Sequence, residues 1–171
     1  NIAKTNSFTG IVSAYGGGGA NYGGAGTIYY LNNSQPSGAT PYGLLVLDNA
    51  NNAGTNTSFD FISMDVTIQN QAVGLMPGSG SWMPHNLLIR TNGVLTALAS
   101  TGVRNITANN ITIEAGGVLS VDGAGASSQS GPGPGSLEPT LRGGGGHGGY
   151  GGGNLTFGGG AYDLIQTPTS T

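Results

Sequence analysis

Four stretches in the middle of the chain carry Leu, Ile or Val at their second and fourth positions, so that one face of each is apolar at period two. They open as Gly43-Leu44-Leu45-Val46-Leu47, Asp65-Val66-Thr67-Ile68-Gln69, Asn86-Leu87-Leu88-Ile89-Arg90 and Asn110-Ile111-Thr112-Ile113-Glu114. Their starts lie 22, 21 and 24 residues apart. Six residues after each start comes Asn49, Gln71, Asn92 or Gly116, then Ala50, Ala72, Gly93 or Gly117. Asn and Gly tolerate the left-handed backbone that a sharp corner requires. A second short apolar stretch then begins at Val73, Val94 or Val118. The unit reads as strand, corner, strand, return.

A repeat of this length with β-branched strands predicts an all-β fold, a right-handed parallel β-helix in which each unit makes one coil. Equivalent residues then stack about 4.8 Å apart. The inward ladders are expected to be Leu44/Val66/Leu87/Ile111 and Val46/Ile68/Ile89/Ile113, with Gln69, Arg90 and Glu114 sharing an outward position. The fixed Leu and Asn pattern of a leucine-rich repeat is absent. An antiparallel β-sandwich is the alternative, because short alternating strands between polar turns also suit it.

Glycine changes the picture at both ends. Of the 35 glycines, 19 fall in segments 16–26 and 143–160. These runs are interrupted by Tyr15, Tyr22, His147, Tyr150 and Phe157 and pass directly into strand-like pieces such as Thr27-Ile28-Tyr29-Tyr30. Ordered, closely packed glycine backbones are expected there rather than free linkers. Residues 123–142 are rich in Ser, Gly and Pro without periodicity and read as a loop, inside one β-helical module spanning 1–171. Gly10-Ile11-Val12-Ser13-Ala14-Tyr15-Gly16 matches Gly117-Val118-Leu119-Ser120-Val121-Asp122-Gly123 position by position, as in one unit of a tandem array. Ala161–Gln166 is a further apolar strand candidate.

The runs from Gly23 to Asn32 (GGAGTIYYLN), Tyr42 to Asn49 (YGLLVLDN), Ile111 to Gly125 (ITIEAGGVLSVDGAG) and Gly143 to Gly152 (GGGGHGGYGG) resemble large secreted glycine-rich proteins of bacteria and some protists. That resemblance covers most of the chain. It implies a right-handed parallel β-helix and a surface, adhesin-like or filament-forming role, and it brings no catalytic residues with it.

Charge narrows the function further. With 4 Lys or Arg against 7 Asp or Glu, the chain cannot neutralise a phosphate track, so no nucleic-acid partner is expected. No apolar run approaches the roughly 20 residues of a membrane helix. The absence of cysteine excludes disulfide scaffolds, zinc ribbons and thiol enzymes. No two carboxylates share a position on adjacent coils, and neither His85 nor His147 sits in a catalytic motif, so no enzymatic activity is expected. The acidic repeats of calcium-binding β-rolls are missing, and neither a metal nor a cofactor is expected. Asn32, Asn56, Asn105, Asn110 and Asn154 open Asn-Xaa-Ser/Thr sequons and are candidate glycosylation sites. Tyr15, Tyr22, Tyr29, Tyr30 and Tyr150 are candidate platforms for stacking sugars. The sequence thus points to an extracellular or cell-surface structural module that pairs with copies of itself. A carbohydrate-binding adhesin tip is the first alternative and a polysaccharide-degrading β-helix enzyme the second.

Overall fold

Each of the four alternating stretches becomes a strand, and the corners fall where left-handed residues are available. The computed structural model describes residues 8–32, 42–59, 63–76, 80–98, 104–122, 124, 133–138, 141–145, 151–153 and 158–161. The chain divides into two compact units, the first comprising Asn1–Leu98 with Arg104–Asp122 and the second Ala99–Val103 with Gly123–Thr171.

The first unit begins with β1 (Thr27–Asn32), followed by a first coil of β2 (Tyr42–Asp48) and β3 (Asn56–Ser58). The second coil holds β4 (Asp65–Gln69), β5 (Val73–Leu75) and β6 (Gly80–Trp82). The third holds β7 (Asn86–Ile89), β8 (Val94–Thr96) and β9 (Arg104–Ile106), and the last β10 (Asn110–Ile113) and β11 (Val118–Leu119). Successive coils stack in parallel, giving sheets ordered β1-β2-β4-β7-β10, β3-β5-β8-β11 and β6-β9. Parallel registers such as Val66↔Leu87↔Ile111 and Val73↔Val94↔Val118 make this a β-solenoid and set aside the antiparallel sandwich. One strand departs from the rule: β1 runs antiparallel to β2, with Ile28 opposite Val46.

The core follows the inward ladders. Val66, Ile68, Leu87, Ile89 and Leu95 are buried, and Phe59 meets Trp82 edge to face with ring centroids 5.3 Å apart. In the first coil the buried residues are Leu45 and Leu47, which pair with Val66 and Ile68, and not Leu44 and Val46. The cause is one additional residue at the corner. Gln69, Arg90 and Glu114 each accept a hydrogen bond from the amide three residues on, whereas in the first coil Asn49 does so, one place beyond the Asp48 that pairs with Gln69. The left-handed residues Asn51, Gln71, Asn92 and Gly116 then stack, with φ of 60, 61, 61 and 80°. Asn49, expected among them, is instead fully buried.

The N-terminal glycine segment packs against this corner. Gly16 N–H donates to Asn49 Oδ1 at 2.7 Å, and Asn49 Nδ2 donates to Gly23 O at 3.3 Å and to Asn52 O at 2.6 Å. A Cβ on Gly54 would stand 2.0 Å from Gly23 O, so only glycine admits the approach.

In the second unit the stretch read as a loop contains a short hairpin, β12 (Leu137–Glu138) antiparallel to β13 (Leu141–Arg142). Beyond it three glycine segments bond in a ring. Gly144 N–H donates to Gly152 O, Gly151 N–H to Gly159 O and Gly159 N–H to Gly144 O, at 2.7, 2.9 and 2.9 Å. This is the ordered glycine packing anticipated from the sequence. Within the strand candidate Ala161–Gln166, only Ala161 belongs to the described residues.

Candidate functional site

The two ends of the solenoid differ in kind. At the last coil, β10 and β11 are the outermost strands of their sheets, each paired on one edge among the described residues. Val118 and Ser120 donate their N–H groups to Gly93 O and Leu95 O at 3.0 and 2.9 Å. Backbone groups alternate sides along a strand, so the N–H and C=O of the intervening Leu119 face the open edge. Ile111 and Ile113 hold the expected register but are 47 and 45 % exposed, correcting their assignment to the buried core. A ladder residue is buried by the coils on both sides of it, and among the described residues these have a coil on one side. Val118 and Leu119 are exposed to a similar degree. Among the described residues, the result is a set of exposed apolar side chains beside strand edges that have no strand partner.

At the first coil, by contrast, β1 covers the edge of β2, and the glycine segment covers the corner beside β3 through the isolated parallel bridge Tyr22↔Gly54. This end is covered by the chain itself.

A groove of about 620 Å³ lies on the outward face near that end. Ile11, Val12, Ser13, Ala14 and Tyr15 form one wall, and Ile28, Tyr30, Val46, Asp48, Gln69 and Asn70 are among the residues opposite. The carboxylate of Asp48 is held in place: Ala50 N–H donates to Oδ1 at 2.8 Å, and Gln69 Nε2 and Asn70 Nδ2 donate to Oδ2 at 2.7 and 2.9 Å. The structure therefore gathers two of the five tyrosines, Tyr15 and Tyr30. Tyr29 alternates to the other face of β1, Tyr22 lies over the glycine segment beside Gly18, and Tyr150 is outside the described residues.

Further polar groups form a column along the strand starts. Asn86 Nδ2 donates to Asp65 Oδ1 at 2.6 Å, and Asn110 Nδ2 donates to Asn86 Oδ1 at 2.9 Å. His85 Nδ1 lies 3.3 Å from Asp65 Oδ1, beside a cavity of about 260 Å³ that Ser63, Thr107 and Asn109 also line. Among the described residues no three of His, Cys, Asp and Glu cluster as metal ligands would. Arg90 Nε stands 4.0 Å from Glu114 Oε1, the neighbouring outward positions expected from the β7–β10 register. Of the sequons, Asn56, Asn105 and Asn110 are exposed on β3, β9 and β10. Asn32 ends β1 with its side chain outside the described residues, where Asn154 also lies. A glycan on Asn110 would attach to the nitrogen that closes the column.

The burial of Asn49 and the column Asp65/Asn86/Asn110 carry no assigned role in the sequence reading. The column had a visible signal, since these residues open three successive repeats. Comparison of the chain with models of protein families, with curated proteins and with solved structures finds no match.

Proposed function

We propose that the chain is a non-enzymatic structural module of an extracellular or cell-surface assembly, associating end to end with further copies of itself. One observation carries this reading: the last coil presents Ile111, Ile113, Val118 and Leu119 beside two strand edges that are unpaired among the described residues. Such edges template another chain unless they are covered. The two ends of the solenoid are unlike, so their contact is heterologous, and a heterologous contact that does not close a ring grows a filament. A net charge of −3 supplies little repulsion against it.

Light scattering across a concentration series tests the reading, with electron microscopy of the same samples. Mass rising with concentration and elongated particles are the expected result, and Ile113→Glu should reduce both. A protein that stays monomeric at high micromolar concentration refutes self-association.

The groove beside Tyr15 and Tyr30 favours a second reading, a carbohydrate-binding tip. Two tyrosine rings and a fixed carboxylate–amide network give one saccharide both a stacking face and hydrogen-bonding partners. Glycan-array binding by the monomer, lost in Tyr30→Ala, supports it. Release of reducing ends from a polysaccharide would instead establish an enzyme.

A further inference from the structure

We infer that Gly10–Ala14 of one copy adds as a strand to the open edge of β11 in another copy. The inference rests on the end-to-end reading and gives it a mechanism.

The donor segment is apolar and free of strand pairing. Residues 11–15 belong to no strand, and Ile11 is 91 % exposed. Its C-terminal end is anchored: Ala14 O accepts from Gly26 N–H, and Gly16 N–H is held by Asn49. A segment fixed at one end and exposed along its apolar residues loses less freedom on docking than a free peptide does.

The acceptor edge is complementary in backbone and in side chains. Leu119 offers an N–H and a C=O to the open side, and strand addition satisfies such groups. Two columns of this sheet lead to the open edge. Val73, Val94 and Val118 form one column, and Gly74, Leu95 and Leu119 form the next. The match between residues 10–16 and 117–123 continues both columns, placing Ile11 on Val118, Val12 on Leu119 and Ser13 on Ser120. The paired residues Gly10–Ala14 and Gly117–Val121 contain no charge, and Asp122 lies just beyond them.

The partner must be a second copy. Within one chain the donor segment lines a groove with Ile28 and Val46 at the first coil, while β11 ends the sheet β3-β5-β8-β11. Each intervening strand adds about 4.8 Å. The Asn49 clamp holds the donor at the far end of that stack.

The absence of cysteine from the chain supplies a clean test. Copies carrying Ser13→Cys are mixed with copies carrying Ser120→Cys under mild oxidation, and Ser13→Cys mixed with Ser81→Cys serves as control. Residues paired on adjacent strands fall within the 4.4–6.8 Å Cα range of a disulfide. The mixed Ser13/Ser120 dimer should exceed the control at least about tenfold. Leu119→Pro, which removes the N–H facing the open edge, should abolish it while circular dichroism stays unchanged. Val12→Glu places a charge opposite Leu119 on the other partner, where no strand is disturbed, and should do the same. Equal cross-linking of the two pairs in protein that does associate overturns the strand exchange and leaves end-to-end assembly standing. Failure of the unmodified chain to associate overturns both.

Discussion

Replacing Asn49 with Ala should release the N-terminal glycine segment while leaving the coils beneath it folded. The side chain is fully buried, and three backbone groups depend on it: Gly16 N–H, Gly23 O and Asn52 O. A net hydrogen bond contributes roughly 0.5–1.5 kcal/mol, and a buried donor left without an acceptor costs about 1–3 kcal/mol. The Gly16 N–H suffers the second fate, so the local cost is about 2–4 kcal/mol. Amide hydrogen exchange resolves where that cost falls. Gly16, Gly23 and Gly26 should exchange far faster in Asn49→Ala, whereas the amides of Ile68, Ile89 and Leu95 should keep their protection. Asn49→Asp adds a check of sign. A carboxylate can still accept from Gly16 but meets two carbonyl oxygens, and burial disfavours its charge. Its pKa in the folded protein is therefore raised above the unfolded value, so Asn49→Asp should gain stability as pH falls through the folded pKa, where the unmodified protein does not. Unchanged exchange at Gly16 in Asn49→Ala would refute the clamp. Uniform loss of protection across all coils would show that Asn49 holds the whole fold rather than one segment.

Three further outcomes follow from packing and backbone geometry. Ile89→Ala removes a fully buried ladder residue and should lower stability by about 2–5 kcal/mol in chemical denaturation. Gln71 holds a φ of 61°, so Gln71→Gly relieves left-handed strain and should raise stability by about 0.5–1 kcal/mol, read as a higher melting temperature. A Cβ on Gly151 would stand 2.0 Å from Gly144 O, so Gly151→Ala should break the glycine ring and speed exchange of the Gly144 and Gly159 amides.

Coils two to four were legible because their strands, corners and second strands keep constant offsets. Stacking then fixed Val66 over Leu87 and Val73 beside Val94 with no tertiary information beyond the period. The first coil was misread by one residue for a definite reason. Gly43–Leu47 is apolar throughout, so period two fits either face, and the corner that would decide it contains the extra Asn49. Half-exposure of Ile111 and Ile113 was hidden for another reason: a pattern specifies which way a residue points, while burial depends on whether another coil covers it. The groove was only half visible. Tyr15 and Tyr30 were named, but their meeting with Asp48 depends on β1 folding back antiparallel, which no periodicity encodes. Close glycine packing was anticipated, yet its ring of bonds arises from three segments whose spacing has no repeat.

That ring implies a thermal behaviour different from that of the apolar solenoid. Its bonds join glycine backbone to glycine backbone, so breaking them exposes polar groups. Exposure of polar surface lowers heat capacity, whereas exposure of apolar surface raises it. Cooling weakens apolar burial, and the ladders of Leu, Ile and Val should lose strength toward the freezing point accordingly. The backbone bonds of the glycine ring do not draw on apolar burial, and they should hold in the cold.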